Sequence, residues 1–233
     1  MAAATKLVLV PGFLCTKALW APQIAALADI ADITVADHTR HDTMVGIAKS
    51  ILDAAPERFA LAGLSMGGYI AYEIVRQAPQ RVTKLALLDT GARADPPERK
   101  EQRLRRNALA QREGAGAVQD ELMSALIHKD RLADKAFTSI VRQMAVDIGA
   151  EGLIRQHAAI MSRPDNRPLL PSIKCPTLVI VGREDTLTPP EMAQEIAAGI
   201  PGAKLEIIPD CGHLSTLERP EAVNRAMRAW LTA

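Results

Sequence analysis

Apolar positions along the chain follow two alternating patterns. Lys6 to Val10 is a continuous aliphatic run closed by Pro11-Gly12, the pattern of a parallel strand buried on both faces. Residues 20–30 then take helical spacing through Trp20, Ile24, Leu27 and Ala28, with Pro22 in a first-turn position. A short strand is predicted at 32–37. A helix follows at 43–54, with Asp42 as its N-cap and Pro56 beyond its end. Phe59 to Leu64 is a third apolar run, Met66 to Gln77 a helix that ends before Pro79, and Lys84 to Asp89 a fourth strand. This alternation predicts βαβ units with right-handed crossovers and a parallel sheet.

Between 92 and 167 the pattern changes, and no strand-like run occurs. Pro96-Pro97 opens a charged helical stretch carrying Arg99, Lys100, Arg103, Arg105 and Arg106. Glu98, Glu101 and Glu113 interleave with these cations, which predicts a solvated helix face rather than a basic patch. Helical periodicity continues over 117–126 and 135–161, and Pro164, Pro168 and Pro171 mark the exit. Alternation resumes with a β-branched strand at 176–182, a helix at 190–198 with Thr188 as candidate cap, and a last strand at 203–208. A terminal helix at 218–231 has Pro220 in its first turn. The expected organisation is a core formed by 1–91 and 168–233, with an all-helical insertion at 92–167.

The turn between the third strand and its helix, Gly63-Leu64-Ser65-Met66-Gly67, fits the G-x-S-x-G pattern of a nucleophile elbow. Its glycines suit a strand that turns sharply into a helix, where a Cβ would clash with neighbouring backbone. Such a turn presents Ser65 at a helix N-terminus that favours developing negative charge. In an open parallel sheet, sites gather beyond the carboxyl ends of the strands. The residues there are Gly12 to Leu14, Ser65, Asp89, Gly182 to Asp185, and Asp210 to His213. A serine hydroxyl needs an imidazole to take its proton, and the imidazole needs a carboxylate to fix its tautomer. The rim supplies all three.

The chain order Ser65, Asp185, His213 is the order of the α/β-hydrolase arrangement. With the elbow and the strand pattern, it makes nearly the whole chain resemble that superfamily, in its small, cofactor-free branch with a helical cap. The branch includes carboxylesterases, enol-lactonases and carbon–carbon bond hydrolases. The resemblance implies an α/β fold with about six mainly parallel strands, the first two strands of the full fold being expected to be absent. It implies Ser65 as nucleophile, His213 as base and Asp185 as acid, with the backbone N–H groups of Phe13 and Met66 as the oxyanion hole. Asp89 remains an alternative acid, because some relatives place the carboxylate after the earlier strand. Many relatives carry His-Gly where this chain has Pro11-Gly12.

The other histidines rank lower. His128 and His157 fall in the insertion, where a solvated or structural role is expected, and His38 and His41 follow the second strand. Glu184 is expected to face solvent and Asp210 to serve a turn. Phe13, Leu14 and Leu187 are the candidate pocket residues. Cys15 and Cys211 are expected to act as small buried hydrophobes.

Composition narrows the setting. Of the 233 residues 48% are hydrophobic and only 3% aromatic, so the core must be aliphatic. A formal net charge of +1 gives no reason to expect nucleic acid or an anionic membrane as partner. Three widely spaced cysteines match no disulfide framework and no metal-ligand spacing, and no signal peptide or spanning segment is visible. These features point to the cytoplasm. The expected activity is a serine hydrolase acting on a small ester, lactone or thioester, with no cofactor or metal and with a homodimer left open. The alternatives are carbon–carbon bond hydrolysis or perhydrolysis at the same site, or a ligand sensor built on this fold.

Overall fold

The computed structural model describes residues 4–233. Six strands form one sheet: β1 (Thr5–Val10), β2 (Ala31–Val35), β3 (Phe59–Leu64), β4 (Val82–Leu88), β5 (Thr177–Gly182) and β6 (Lys204–Ile208). Their spatial order is β2-β1-β3-β4-β5-β6, and every neighbouring pair is parallel. Alternate residues of each strand face opposite sides of the sheet. Leu7, Leu9, Ala60, Ala62 and Leu64 therefore enter one apolar cluster, while Val8, Val10, Phe59 and Leu61 enter the other. This is why the central strands read as unbroken apolar runs.

The helices are α1 (Ala21–Leu27), α2 (Met44–Ala54), α3 (Met66–Gln77), α4 (Pro97–Glu113), α5 (Ala115–Leu126), α6 (Lys135–Ser162), α7 (Pro190–Gly199), α8 (Ser215–Glu218) and α9 (Pro220–Thr232). Several boundaries differ from the sequence expectation for local reasons. The N-cap of α2 is Thr43, not Asp42: Thr43 is extended and its hydroxyl accepts from the Gly46 N–H at 3.1 Å. Thr188 does not cap α7, because its hydroxyl is engaged by Asp185. The terminal helix divides at Arg219, which precedes Pro220 and is excluded from the α region by the proline ring.

Three helices, α4 to α6, lie between β4 and β5. Gly114 (φ 85°) separates the first two and Gly149 (φ 72°) kinks the third, positions where only a residue without a Cβ is at ease. The inserted helices have no apolar core of their own. Val118, Leu122, Val141, Met144 and Leu153 belong to the same cluster as Leu14 and Leu214, which follow β1 and β6. The insertion thus closes over the carboxyl rim of the sheet. Among the described residues no helix is long and apolar enough to cross a membrane.

Candidate active site

Ser65 sits between β3 and α3 with φ 56° and ψ −113°, a conformation that costs an L-residue energy and persists only when its surroundings enforce it. The surroundings here are backbone. A Cβ on Gly63 would collide with the Gly67 carbonyl, and a Cβ on Gly67 with that of Val10. The Ser65 N–H donates to the Leu88 carbonyl at 2.9 Å, and the Thr90 hydroxyl donates to the Ser65 carbonyl at 2.8 Å. Glycines let the strands and helix approach, and β4 then fixes the serine.

His213 Nε2 lies 2.8 Å from Ser65 Oγ, and His213 Nδ1 lies 2.7 Å from Asp185 Oδ2. Asp185 is itself held: its Oδ1 accepts from the Leu187 and Thr188 N–H groups at 2.8 and 3.0 Å, and the Thr188 hydroxyl donates to Oδ2 at 2.7 Å. Burial pushes the Asp185 carboxyl up, but His213 and the Thr188 donors outweigh it and hold it below the usual range. Burial lowers His213, yet the Asp185 charge and hydrogen bond, aided by Asp89 and Glu218, raise it above 6.5. An ionised Asp185 favours the tautomer with the proton on Nδ1, which leaves Nε2 free to accept the serine proton. The histidine loop is anchored by its backbone, since the His213 N–H donates to Leu126 O at the end of α5.

Asp89 makes no hydrogen bond to the imidazole among the described residues. Its carboxyl accepts from the Gly182 N–H and from the Ser215 N–H and hydroxyl, which ties the loops after β4, β5 and β6 together. Burial and the Asp185 charge raise it to about 8. Glu184 is exposed as expected, and it also accepts from the Cys211 N–H at 2.9 Å. Asp210 is an exposed turn residue with φ 52°. Cys15 and Cys211 are buried, with thiols pushed far up by desolvation.

Phe13 and Met66 both line a cavity of about 400 Å³ together with Ser65, His213 and Leu187. Among the described residues neither backbone N–H meets an acceptor. Leu14 is a correction to the sequence reading: it is fully buried, belongs to the core cluster and does not line the cavity. Its N–H has a structural use, donating to Gln156 Oε1 from α6 at 3.0 Å. His38, buried and neutral through desolvation, places Nε2 3.0 Å from the Gly12 carbonyl. His38 and Gln156 thus brace the Gly12–Leu14 loop where Pro11 replaces the histidine of many relatives.

The insertion contributes more than expected. Arg99, Arg103 and Arg106 line the cavity, whereas Lys100 and Arg105 are exposed. The three lining arginines stand at i, i+4 and i+7, a single face of α4. That spacing was legible in the sequence, but the interleaved glutamates masked it. His157 also lines the cavity, its ring stacked on Phe13 at 4.4 Å between centroids. Its Nδ1 lies 2.6 Å from Asn107 Oδ1, and its buried Nε2 has no partner among the described residues. Desolvation, helped by Arg103 and Arg106, lowers its pKa to about 3, so it is neutral. His128 instead opens a short turn, and His41 is exposed. Among the described residues no group of three or more His, Cys, Asp or Glu is placed to hold a metal ion.

Comparison with known proteins agrees with this architecture. A model of the alpha/beta hydrolase family matches residues 7–226. A thermophilic esterase from Thermogutta terrifontis, solved with malate bound, is 33% identical with a TM-score of 0.90; the match covers 99% of this chain and 90% of that one. The enol-lactonase from Burkholderia xenovorans is 27% identical with a TM-score of 0.89, covering 100% and 93%. A 2-hydroxy-6-oxononadienedioate/2-hydroxy-6-oxononatrienedioate hydrolase of Klebsiella pneumoniae is 29% identical over 211 residues, 86% of this chain and 72% of that protein. The chain belongs to the alpha/beta hydrolase family.

Proposed function

We propose that this hydrolase cleaves a small carboxylic ester, lactone or thioester by acyl transfer through a Ser65–His213–Asp185 triad. The observation that carries the reading is the continuous hydrogen-bonded path from Ser65 Oγ through both nitrogens of His213 to Asp185. His213 takes the Ser65 proton as Oγ attacks the carbonyl carbon. The oxyanion so formed is held by the Phe13 and Met66 N–H groups, whose freedom from other acceptors supports that role. The imidazolium returns the proton to the leaving oxygen or sulfur. Water, deprotonated by the same imidazole, then releases the acid from Ser65. Helices α4 to α6 serve as a cap, closing the cavity and choosing the substrate with Phe13 and Leu187.

A second reading, hydrolysis of a carbon–carbon bond at the same serine, is favoured by the Klebsiella relative. The test is turnover of a nitrophenyl ester series from acetate to octanoate, with Ser65→Ala alongside. The ester reading expects activity that the alanine variant abolishes. Inert wild type that instead cleaves vinylogous diketones shifts the assignment to the second reading. A wild type inert towards both removes both.

A further inference from the structure

The cavity is positively charged on the side formed by α4, and its cations are not all neutralised. Arg106 pairs with Glu121 at 3.0 Å, so that couple is neutral. Arg103 and Arg163 share one carboxylate, Asp95, at 2.7 and 3.0 Å. Two guanidinium groups on one buried carboxylate leave a net positive charge beside the cavity. Arg99 pairs with no carboxylate among the described residues. One of its N–H groups donates to the Leu187 carbonyl at 3.0 Å, which fixes the stem against the loop behind Asp185 and leaves other donors unused.

Such a wall has a cost in an apolar pocket. Partly desolvated cations are best satisfied where a ligand of opposite charge completes them. Among the described residues no carboxylate meets Arg99, so its counter-charge is left for an anionic substrate to bring. A planar, bidentate anion fits a guanidinium fork best.

We infer that the natural substrate carries a carboxylate remote from the scissile carbonyl, and that Arg99, with the Arg103–Asp95–Arg163 cluster behind it, forms the subsite that binds it. This rests on the acyl-transfer reading of the cavity and narrows it to anionic esters or lactones. Hydrolysis would then yield a dicarboxylate or a hydroxy acid with a second acid group. The subsite orients the substrate so that its ester carbonyl meets Ser65, and it rejects neutral chains of equal length by leaving the cations unpaired.

The test compares nitrophenyl hemi-esters of glutarate and adipate with neutral nitrophenyl esters of matched length, in wild type and Arg99→Gln. Wild type should favour the hemi-esters in kcat/KM by about tenfold or more, as expected for a charge-assisted hydrogen bond at a partly buried site. The preference should shrink with added salt, and in Arg99→Gln it should fall by about tenfold, chiefly through KM. Binding of glutarate itself, followed by calorimetry, checks the subsite without any turnover. It should weaken about tenfold in Arg99→Gln. Equal or greater activity on neutral esters overturns the anionic subsite while leaving the esterase reading intact. Glutarate binding to a protein inert on every ester does the reverse.

Discussion

Replacing Asp185 by Asn tests which carboxylate serves His213, and the structure sets both the direction and the size of the effect. The Leu187 and Thr188 N–H groups both aim at Oδ1. An asparagine must keep its oxygen there, which turns its NH₂ towards His213 Nδ1. A donor at that point forces Nδ1 to accept, so the ring proton moves to Nε2, the nitrogen that must receive the serine proton. The lost charge adds to this. At about 4 Å and an effective dielectric near 20, a carboxylate stabilises an imidazolium by ~4 kcal/mol. A barrier change of that size lowers kcat about a thousandfold. Asp89→Asn keeps a carbonyl for Gly182 or Ser215 and has no bond to the imidazole, so kcat should fall by less than about tenfold. The assay is steady-state turnover of a short nitrophenyl ester by both variants, with folding checked by circular dichroism. A well-folded Asp185→Asn within about tenfold of wild type, beside an Asp89→Asn that loses three decades, would refute the assignment.

Three further outcomes follow from the same geometry. Gly67→Ala places a Cβ against the Val10 carbonyl. Backbone cannot yield, so we expect a loss of at least ~3 kcal/mol and a drop in Tm of roughly 6–12 °C in thermal denaturation. Gln156→Leu leaves the buried Leu14 N–H unpaired and releases the Phe13 loop; kcat should fall about tenfold with little change in KM. Because His213 must be neutral to act as base and is raised above 6.5, kcat/KM should rise with pH through a midpoint above that value. In Asp185→Asn the midpoint, read from residual activity, should move down, since the charge and hydrogen bond that most oppose burial are then lost and only Asp89 and Glu218 still raise the ring.

The sheet was legible because its central strands are runs of aliphatic residues buried on both faces, and the elbow because its glycines are needed for backbone contact. Ser65, Asp185 and His213 could be found from what each chemical step requires and where the strands end. Thr188 could not, since a threonine near a proline reads as a helix cap until its hydroxyl is seen on Asp185. Leu14 was misplaced because a residue next to the rim can turn inward, and φ 55° at that position turns it into the core. The cavity-facing arginines were missed for a different reason. Charge composition reports the average of a helix, whereas the i, i+4, i+7 spacing that separates Arg99, Arg103 and Arg106 from Lys100 and Arg105 reports its faces. His157 was undervalued since nothing local in the sequence places it against Phe13, 144 positions away.

Titration with a fluorophosphonate, with residual esterase activity and intact mass followed together, tests the central claim most directly. With Ser65 as nucleophile, activity should fall linearly to zero as one phosphonyl group is added per chain, peptide mapping should put the group on Ser65, and Ser65→Ala should take up none. Activity that survives stoichiometric labelling of Ser65, or a label that maps elsewhere while activity is lost, would contradict it.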